Sequence, residues 1–415
     1  MKKIALFTAL LSLGIAVNAQ TLNVQSAMSD LKRGYLNKAK SAIDKACVHP
    51  DTKDDAKTWY YAGLIYSQIG DQSKNPKSKY KDLDSDWCNK TYNAALRCKE
   101  LDTKGEYSVR DIFRYVGQEF YNQSIDVFNS GDYQGALKLA DEAIKVFNNS
   151  GDAEYANESY YIAGYSCQLL NDNDGVKKYY GPLVRKNKIS EDFKPKMVRV
   201  YNTMYGIYKE ANDTVNVIRT AERYTKVMPE DANAHLLLAS AYVWTGNFSK
   251  GIELANKAVE ESKNTSNYPI LLCGAAGIYE QAGDFASAEA KYKESADIQP
   301  NQIEANYGMG IMIYNRAVDK VQAINKMIES GNLSEEDEVL INKLAEESNG
   351  FFEQAIPYLK AAVNYIDGLN EEEQAMKRPN LYNCLRTLNT CYVRLDMLNE
   401  AKPIKVRLDQ LEKGN

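Results

Sequence analysis

The chain has 415 residues, with 51 Lys plus Arg against 56 Asp plus Glu, two His, and a formal charge of −5. That mild acidity argues against nucleic acid or an anionic membrane surface as the main partner, because phosphate contacts need clustered Lys and Arg. A chain of this length rarely folds around one core, which leaves several domains or a solenoid.

Residues 1–19 read as a secretory leader. Lys2 and Lys3 give a positive start, Ile4 to Val17 forms an apolar run, and Val17-Asn18-Ala19 follows at cleavage spacing. Cleavage after Ala19 leaves Gln20 at the mature start and takes the formal charge to −7 with the loss of Lys2 and Lys3. The expected location is the periplasm or cell envelope, or beyond it at the surface or as a secreted protein. The run is short for a bilayer, and nothing downstream reaches the roughly 20 apolar residues that crossing requires, so no transmembrane segment is expected. The seven Cys (47, 88, 98, 167, 273, 384 and 391) are odd in number and widely scattered, unlike a disulfide framework. Most sit in helical patterns, where a buried thiol acts as a small apolar residue. The one pairing their positions favour is Cys47 with Cys98.

From residue 20 onward the pattern is helical and repetitive. Trp59, Ala62, Gly63 and Tyr66 share one helix; a polar, Lys- and Asp-rich insertion at about 71–86 follows, before a helix from Trp87. Phe120, Tyr160, Tyr201, His235 and Leu272 then open successive units at separations of 40, 41, 34 and 37 residues. Within them Gly131-Asp132-Tyr133 and Gly283-Asp284-Phe285 mark turns between two apolar stripes, and Pro229 and Pro300 close second helices. After Tyr307, Met309 and Gly310 the partner stripe of Phe352, Ala355 and Leu359 arrives late. Residues 315–350 therefore read as a helical-hairpin insertion around Gly331-Asn332, either decoration or a surface for binding and homo-oligomerisation. A last pair, Pro379 to Leu395 and Asn399 to Glu412, caps the array within 371–415.

A helix-turn-helix unit recurring near 34 residues resembles the tetratricopeptide repeat (TPR) family. Trp59-Tyr60-Tyr61-Ala62-Gly63-Leu64-Ile65-Tyr66 is similar to that family's W-x2-L-G-x2-Y opening, with Ala in the Leu slot, and Ala288, Tyr292 and Pro300 meet its second-helix pattern. The likeness covers roughly 50–365. It implies an all-α fold: an α-solenoid, wound as a right-handed superhelix, spanning 20–370 before the capping pair. Small residues such as Gly63, Ala136, Gly164 and Ala288 let paired helices approach, while Trp59, Tyr66, Tyr208, Tyr279 and Tyr292 fill the surrounding space. Asp213-Thr214-Val215 also resembles the O-glycosylation acceptor of exported Bacteroidetes proteins.

No HExxH, C-x2-C pair, P-loop or G-x-S-x-G occurs. His235 falls in a core slot. The chain is therefore read as a non-enzyme with no catalytic, cofactor-binding or metal-binding residues. In the TPR family, first helices line a concave face whose non-core positions meet a protein or peptide partner. Here those positions hold Tyr60, Leu64, Tyr121, Ile125, Phe128, Tyr161, Tyr165 and Leu169, an apolar, Tyr-rich strip; Lys209, Glu210, Trp244, Glu280, Tyr307 and Arg394 follow further on. Tyr favours binding hot spots because it offers large contact area at modest entropy cost. The family's clamp for a terminal carboxylate uses paired Lys and Asn; only Asn122 matches, so that mode is not expected. The alternative reading is a glycan-binding helical-repeat protein of the outer membrane or periplasm, with Tyr rings stacking on sugars. Its known relatives carry a Cys where this chain has Gln20.

Overall fold

The computed structural model describes residues 22–151, 154–300, 303–331 and 333–413. The expected leader, residues 1–19, lies outside them. Among the described residues the chain is α-helical, with one 3-10 turn and no strand, and it divides between Ile207 and Tyr208 into two compact units.

In the first unit, α1 (22–32) pairs with α2 (Leu36–Val48), α3 (Ala56–Ser73) with α4 (Trp87–Leu101), α5 (Arg110–Asn129) with α6 (Tyr133–Ser150), and α7 (Ala156–Leu169) with α8 (Asn173–Val184). A 3-10 turn, Glu191–Phe193, then enters α9 (Lys194–Glu210), inside which the division falls. The second unit holds α10 (Thr214–Val227), then α11 (Ala232–Trp244) with α12 (Phe248–Ser262) and α13 (Tyr268–Gln281) with α14 (Phe285–Ile298). It ends with α15 (Ile303–Glu329) against α16 (Glu335–Asp367) and α17 (Glu371–Arg394) against α18 (Leu398–Lys413). Each unit is an α-solenoid of TPR-like helix-turn-helix repeats.

The hairpin turns share one chemistry. A residue in the left-handed region ends the first helix: Gly34, Gly131, Asn171, Asn212, Gly246, Gly283 and Asp396 all have φ between 53° and 88°. The next residue's N–H reaches back to a carbonyl five residues earlier, as from Asp172 to Cys167 (2.9 Å), Asn247 to Tyr242 (2.7 Å) and Asp284 to Tyr279 (2.9 Å). This is the Schellman closure, which satisfies carbonyls that the helix end leaves open. In five turns the same residue then caps the second helix. The side chains of Asp132, Asp172, Asp213, Asn247 and Asp284 each accept from the backbone N–H three residues on. Asp213 of the acceptor-like tripeptide is thus a helix cap.

Packing follows small against large. A Cβ on Gly164 would stand 2.2 Å from the Tyr180 ring, and one on Gly117 2.7 Å from Phe147; both rings are buried. Ala136 and Ala288 are likewise buried. Tyr66, Tyr279 and Tyr292 fill core as expected, and His235 is buried with its Nε2–H donating to the Pro229 carbonyl at 2.9 Å. Trp59 and Tyr208 depart from that expectation, being only half-buried. The Trp59 indole N–H donates to the Lys53 carbonyl at 2.6 Å, so the ring lies over the helix entrance rather than inside the contact.

The polar segment between α3 and α4 is pinned. Asp84, with a side chain only 5% exposed, bonds Lys90 at 2.7 Å and lies 3.3 Å from Lys40 on α2. Lys40 also holds Asp44 at 2.8 Å, and Asp44 accepts from the Tyr66 hydroxyl. Burial alone would raise the Asp84 carboxyl, but hydrogen bonds from Lys90, the Asp86 N–H and Lys40 outweigh it and hold that group below its ordinary value. Lys74 sits over the Trp87 and Tyr115 rings and donates to Glu119.

In the 315–350 segment α15 and α16 run continuously out of their repeat, with left-handed Gly331 after α15 and the Ser334/Asp337 capping box starting α16. One boundary differs from the sequence reading. The helix placed at Pro379 begins eight residues earlier, because Asn370 and Glu373 form a second capping box and Pro379 rides inside α17. The seven thiols are all free, so the Cys47–Cys98 bridge is not formed. Burial pushes Cys47, Cys88, Cys384 and Cys391 up to about 12, and Cys98 and Cys167 up to about 11.

Two stability outcomes follow. Gly283→Ala forces an L side chain into the left-handed region and should cost roughly 1 kcal/mol in urea unfolding, while Asn212→Gly stays within about 0.5 kcal/mol of the parent. Asp84→Asn removes the carboxylate partner of Lys90 and one of the two held by Lys40, and should cost about 2 kcal/mol at neutral pH. Because the folded carboxyl is depressed, its contribution is complete above the unfolded pKa of about 3.9 and fades as pH falls through the lower folded value. The gap between parent and variant midpoints should therefore narrow between pH 7 and pH 3; a constant gap would contradict the ionic role.

Candidate binding face

The expected partner-binding positions lie on α3, α5 and α7, all in the first unit. Tyr60, Leu64, Tyr121, Ile125, Phe128, Tyr161 and Tyr165 are half-buried, and Leu169 is 40% exposed. Their helices put core residues on one face, Phe120 and Ser124 on α5 and Ala163, Gly164 and Cys167 on α7, which turns the intervening positions outward.

Part of the set forms one row of rings. Phe128 meets Tyr165 with centroids 5.2 Å apart, Tyr165 meets Tyr161 at 6.0 Å, and Tyr161 meets Phe193 edge-on at 6.2 Å. Beneath, Tyr161 stacks at 6.1 Å on the buried Tyr180. The Arg199 guanidinium lies 4.5 Å over the Tyr165 ring, within cation–π range.

A polar chain runs beside the rings and joins three successive first helices. The Tyr121 hydroxyl on α5 donates to Glu158 on α7 at 3.3 Å, and Lys196 on α9 donates to both Glu158 oxygens at 2.7 and 2.6 Å. Burial, then the Glu158 charge and hydrogen bond, raise the Tyr121 phenol above its ordinary value. Burial also raises Tyr161, with Arg199 pulling the other way. These phenols stay protonated at neutral pH and act as donors and ring surfaces.

Tyr60 and Leu64 are not part of this row. Tyr60 packs on Tyr61 at 5.5 Å and on Tyr107 of the α4–α5 connector at 5.2 Å, and both Tyr60 and Leu64 lie against the first unit's core. A connector therefore covers that end of the expected strip. Glu158, Phe193, Lys196 and Arg199 were absent from the sequence reading. Glu158 shares the helix face of Tyr161 and Tyr165 by i, i+3, i+7 spacing and could have been found that way. Phe193 lies in a connector turn, where periodicity carries no signal.

In the second unit, Glu280 of α13 is half-buried; burial raises its carboxyl, and its hydrogen bond with Asn315 opposes the rise. Among the described residues no group of three or more His, Cys, Asp or Glu is placed to hold a metal ion. No helix described is long and apolar enough to cross a membrane.

No known family profile matches the chain, and no curated protein matches it. Solved TPR proteins are similar to it. A TPR protein from Parabacteroides merdae is 15% identical over 65% of this chain and 98% of that one, with a TM-score of 0.40. MamA from Desulfovibrio magneticus is 17% identical over 45% of this chain and 96% of its own, with a TM-score of 0.35. YrrB, described as a TPR protein with an unusual peptide-binding site, is 14% identical over 50% and 94%, with a TM-score of 0.34. Likeness at this level carries no argument about ligand, and no catalytic family is indicated.

Proposed function

We propose that this chain is an exported TPR-like scaffold of the Bacteroidetes type, which captures peptide or protein segments on the α5–α7–α9 face as part of a cell-envelope assembly. The observation that carries the reading is the half-buried row of rings Phe128, Tyr165 and Tyr161, backed by the buried Phe193 and held in place by Arg199 and by the Tyr121–Glu158–Lys196 chain. Rings fixed before binding lose little freedom on contact, so their area is available for affinity. Tyr121 and Tyr161 carry the contact, with Ile125 and Leu169 as its apolar margin. Export rests on the leader pattern of Lys2 to Ala19.

The test is crosslinking in the native envelope followed by mass spectrometry. Tyr121→Ala combined with Tyr161→Ala should reduce recovery of the crosslinked partner about tenfold while the helical CD spectrum is retained. Undiminished recovery would refute the assignment of this face.

The arm formed by α15 and α16 supports homo-oligomerisation. Ile328, Leu333, Val339 and Leu340 are 40–69% exposed near its end, more apolar surface than two helices can hide between themselves. Packed against the arm of a second copy they would form a four-helix contact. Ile328→Glu with Val339→Glu should convert a dimer to a monomer in light scattering after gel filtration; a monomeric parent protein would rule the contact out.

A further inference from the structure

The second unit has an apolar slot of its own, on the edge where second helices hand over to first helices. Its cavity of about 600 Å³ is walled by Ile270 at the start of α13, Ile298 and Pro300 at the end of α14, Tyr365 and Leu369 after α16, and Met376 on α17. That volume is within the range of sites that bury a ligand. Three of these walls are unusually bare: Met376 is 68% exposed, and Ile270 and Ile298 are each 48% exposed. A second cavity of about 450 Å³ shares Pro300, Tyr365 and Leu369 and adds Asn306 and Asn364. The two make one elongated slot around Tyr365.

The rim is acidic. Lys377 is the slot's one cation among the described lining residues, and its ammonium is engaged by Glu304 at 3.0 Å. Glu371, Glu372 and Glu373 occupy the first turn of α17, and Glu372 and Glu373 stand one helical turn before Met376 on its face. The Glu373 carboxylate accepts from the Asn370 N–H and the Glu373 N–H donates to the Asn370 carboxamide oxygen, the capping box of α17. Acidic groups outnumber the one lysine here, and negative charge beside exposed aliphatic surface favours an occupant with positive charge beside an apolar group. The adjoining Asn364 carboxamide suits a peptide backbone better than an acyl chain, since it offers both a donor and an acceptor.

We infer that this slot binds an extended peptide segment that seats a large apolar side chain between Ile298 and Met376 and places a flanking Arg or Lys on the Glu371–Glu373 turn. The site is independent of the α5–α7–α9 face. It belongs to the other unit and needs no residue of the aromatic row.

The experiment uses the full chain and three fluorescein-labelled octapeptides in fluorescence anisotropy. One carries Leu-Phe flanked by Arg, one Leu-Phe flanked by Glu, and one Ala-Ala flanked by Arg. The Arg-flanked Leu-Phe peptide should bind about tenfold more tightly than either control, with affinity falling in 0.5 M salt. Met376→Lys and Ile298→Lys, both at exposed positions, should each weaken it at least about fivefold, and Glu372→Lys should erase the preference for Arg over Glu flanks. Tyr161→Ala should leave it unchanged, which separates this site from the aromatic row. Equal binding of the three peptides, no binding of any, indifference to the Met376 and Ile298 changes, or loss in Tyr161→Ala would each overturn the inference.

Discussion

The architecture depends on one closure repeated along the chain. A left-handed residue ends the first helix, the following N–H returns to a carbonyl five residues back, and an Asp or Asn side chain starts the second helix. Two peptide units and one carboxylate fix the angle at which each helix pair closes. Once the angle is set, a small residue such as Gly164 meets the ring of Tyr180 and the stripes of both helices face inward. Without the closure the amphipathic helices would have no reason to pair with their sequence neighbours, since single helices of this length are marginal in water.

The exceptions show the same constraint from the other side. Between α3 and α4 there is no such turn, and a buried ionic cluster around Asp84 takes over the task of positioning the helices. Asp84 is held by Lys40 of the preceding hairpin, so the connector is tied to its neighbour as well as to its own pair. Between α15 and α16 a left-handed glycine, Gly331, is kept further out as both helices lengthen, and Ser334 rather than Asp or Asn caps the second helix. Repeats of this kind tolerate growth at the turn because stacking uses only the part of each helix nearest its neighbours.

Much of this was legible in the residues. Turns built on Gly131, Gly246 and Gly283 stand out because glycine interrupts an apolar stripe. Those built on Asn171, Asn212 and Asp396 were harder to see, since the same backbone shape is reached by residues common in any polar loop. The start of α17 was misplaced because Pro379 reads as a beginning, whereas the capping box at Asn370 and Glu373 precedes it. On the binding face, helical spacing located Phe128, Tyr161 and Tyr165, but which strip residues a connector covers depends on Tyr107, whose position follows no period. The polar chain through Glu158 and Lys196 needs three helices in place at once, so no local pattern could reveal it.

The free cysteines have a consequence for redox behaviour. Only the thiolate attacks a disulfide or an oxidant, and burial holds six of the seven thiols near 11 or 12, so almost none is ionised at neutral pH. In the folded state an oxidising compartment would find little to react with. Before folding the same thiols titrate normally and are accessible, and hairpins still forming would be open to mispairing. Rapid closure of short-range helix pairs is then a form of chemical shielding, with each cysteine-bearing hairpin covering its own sulfurs as it stacks.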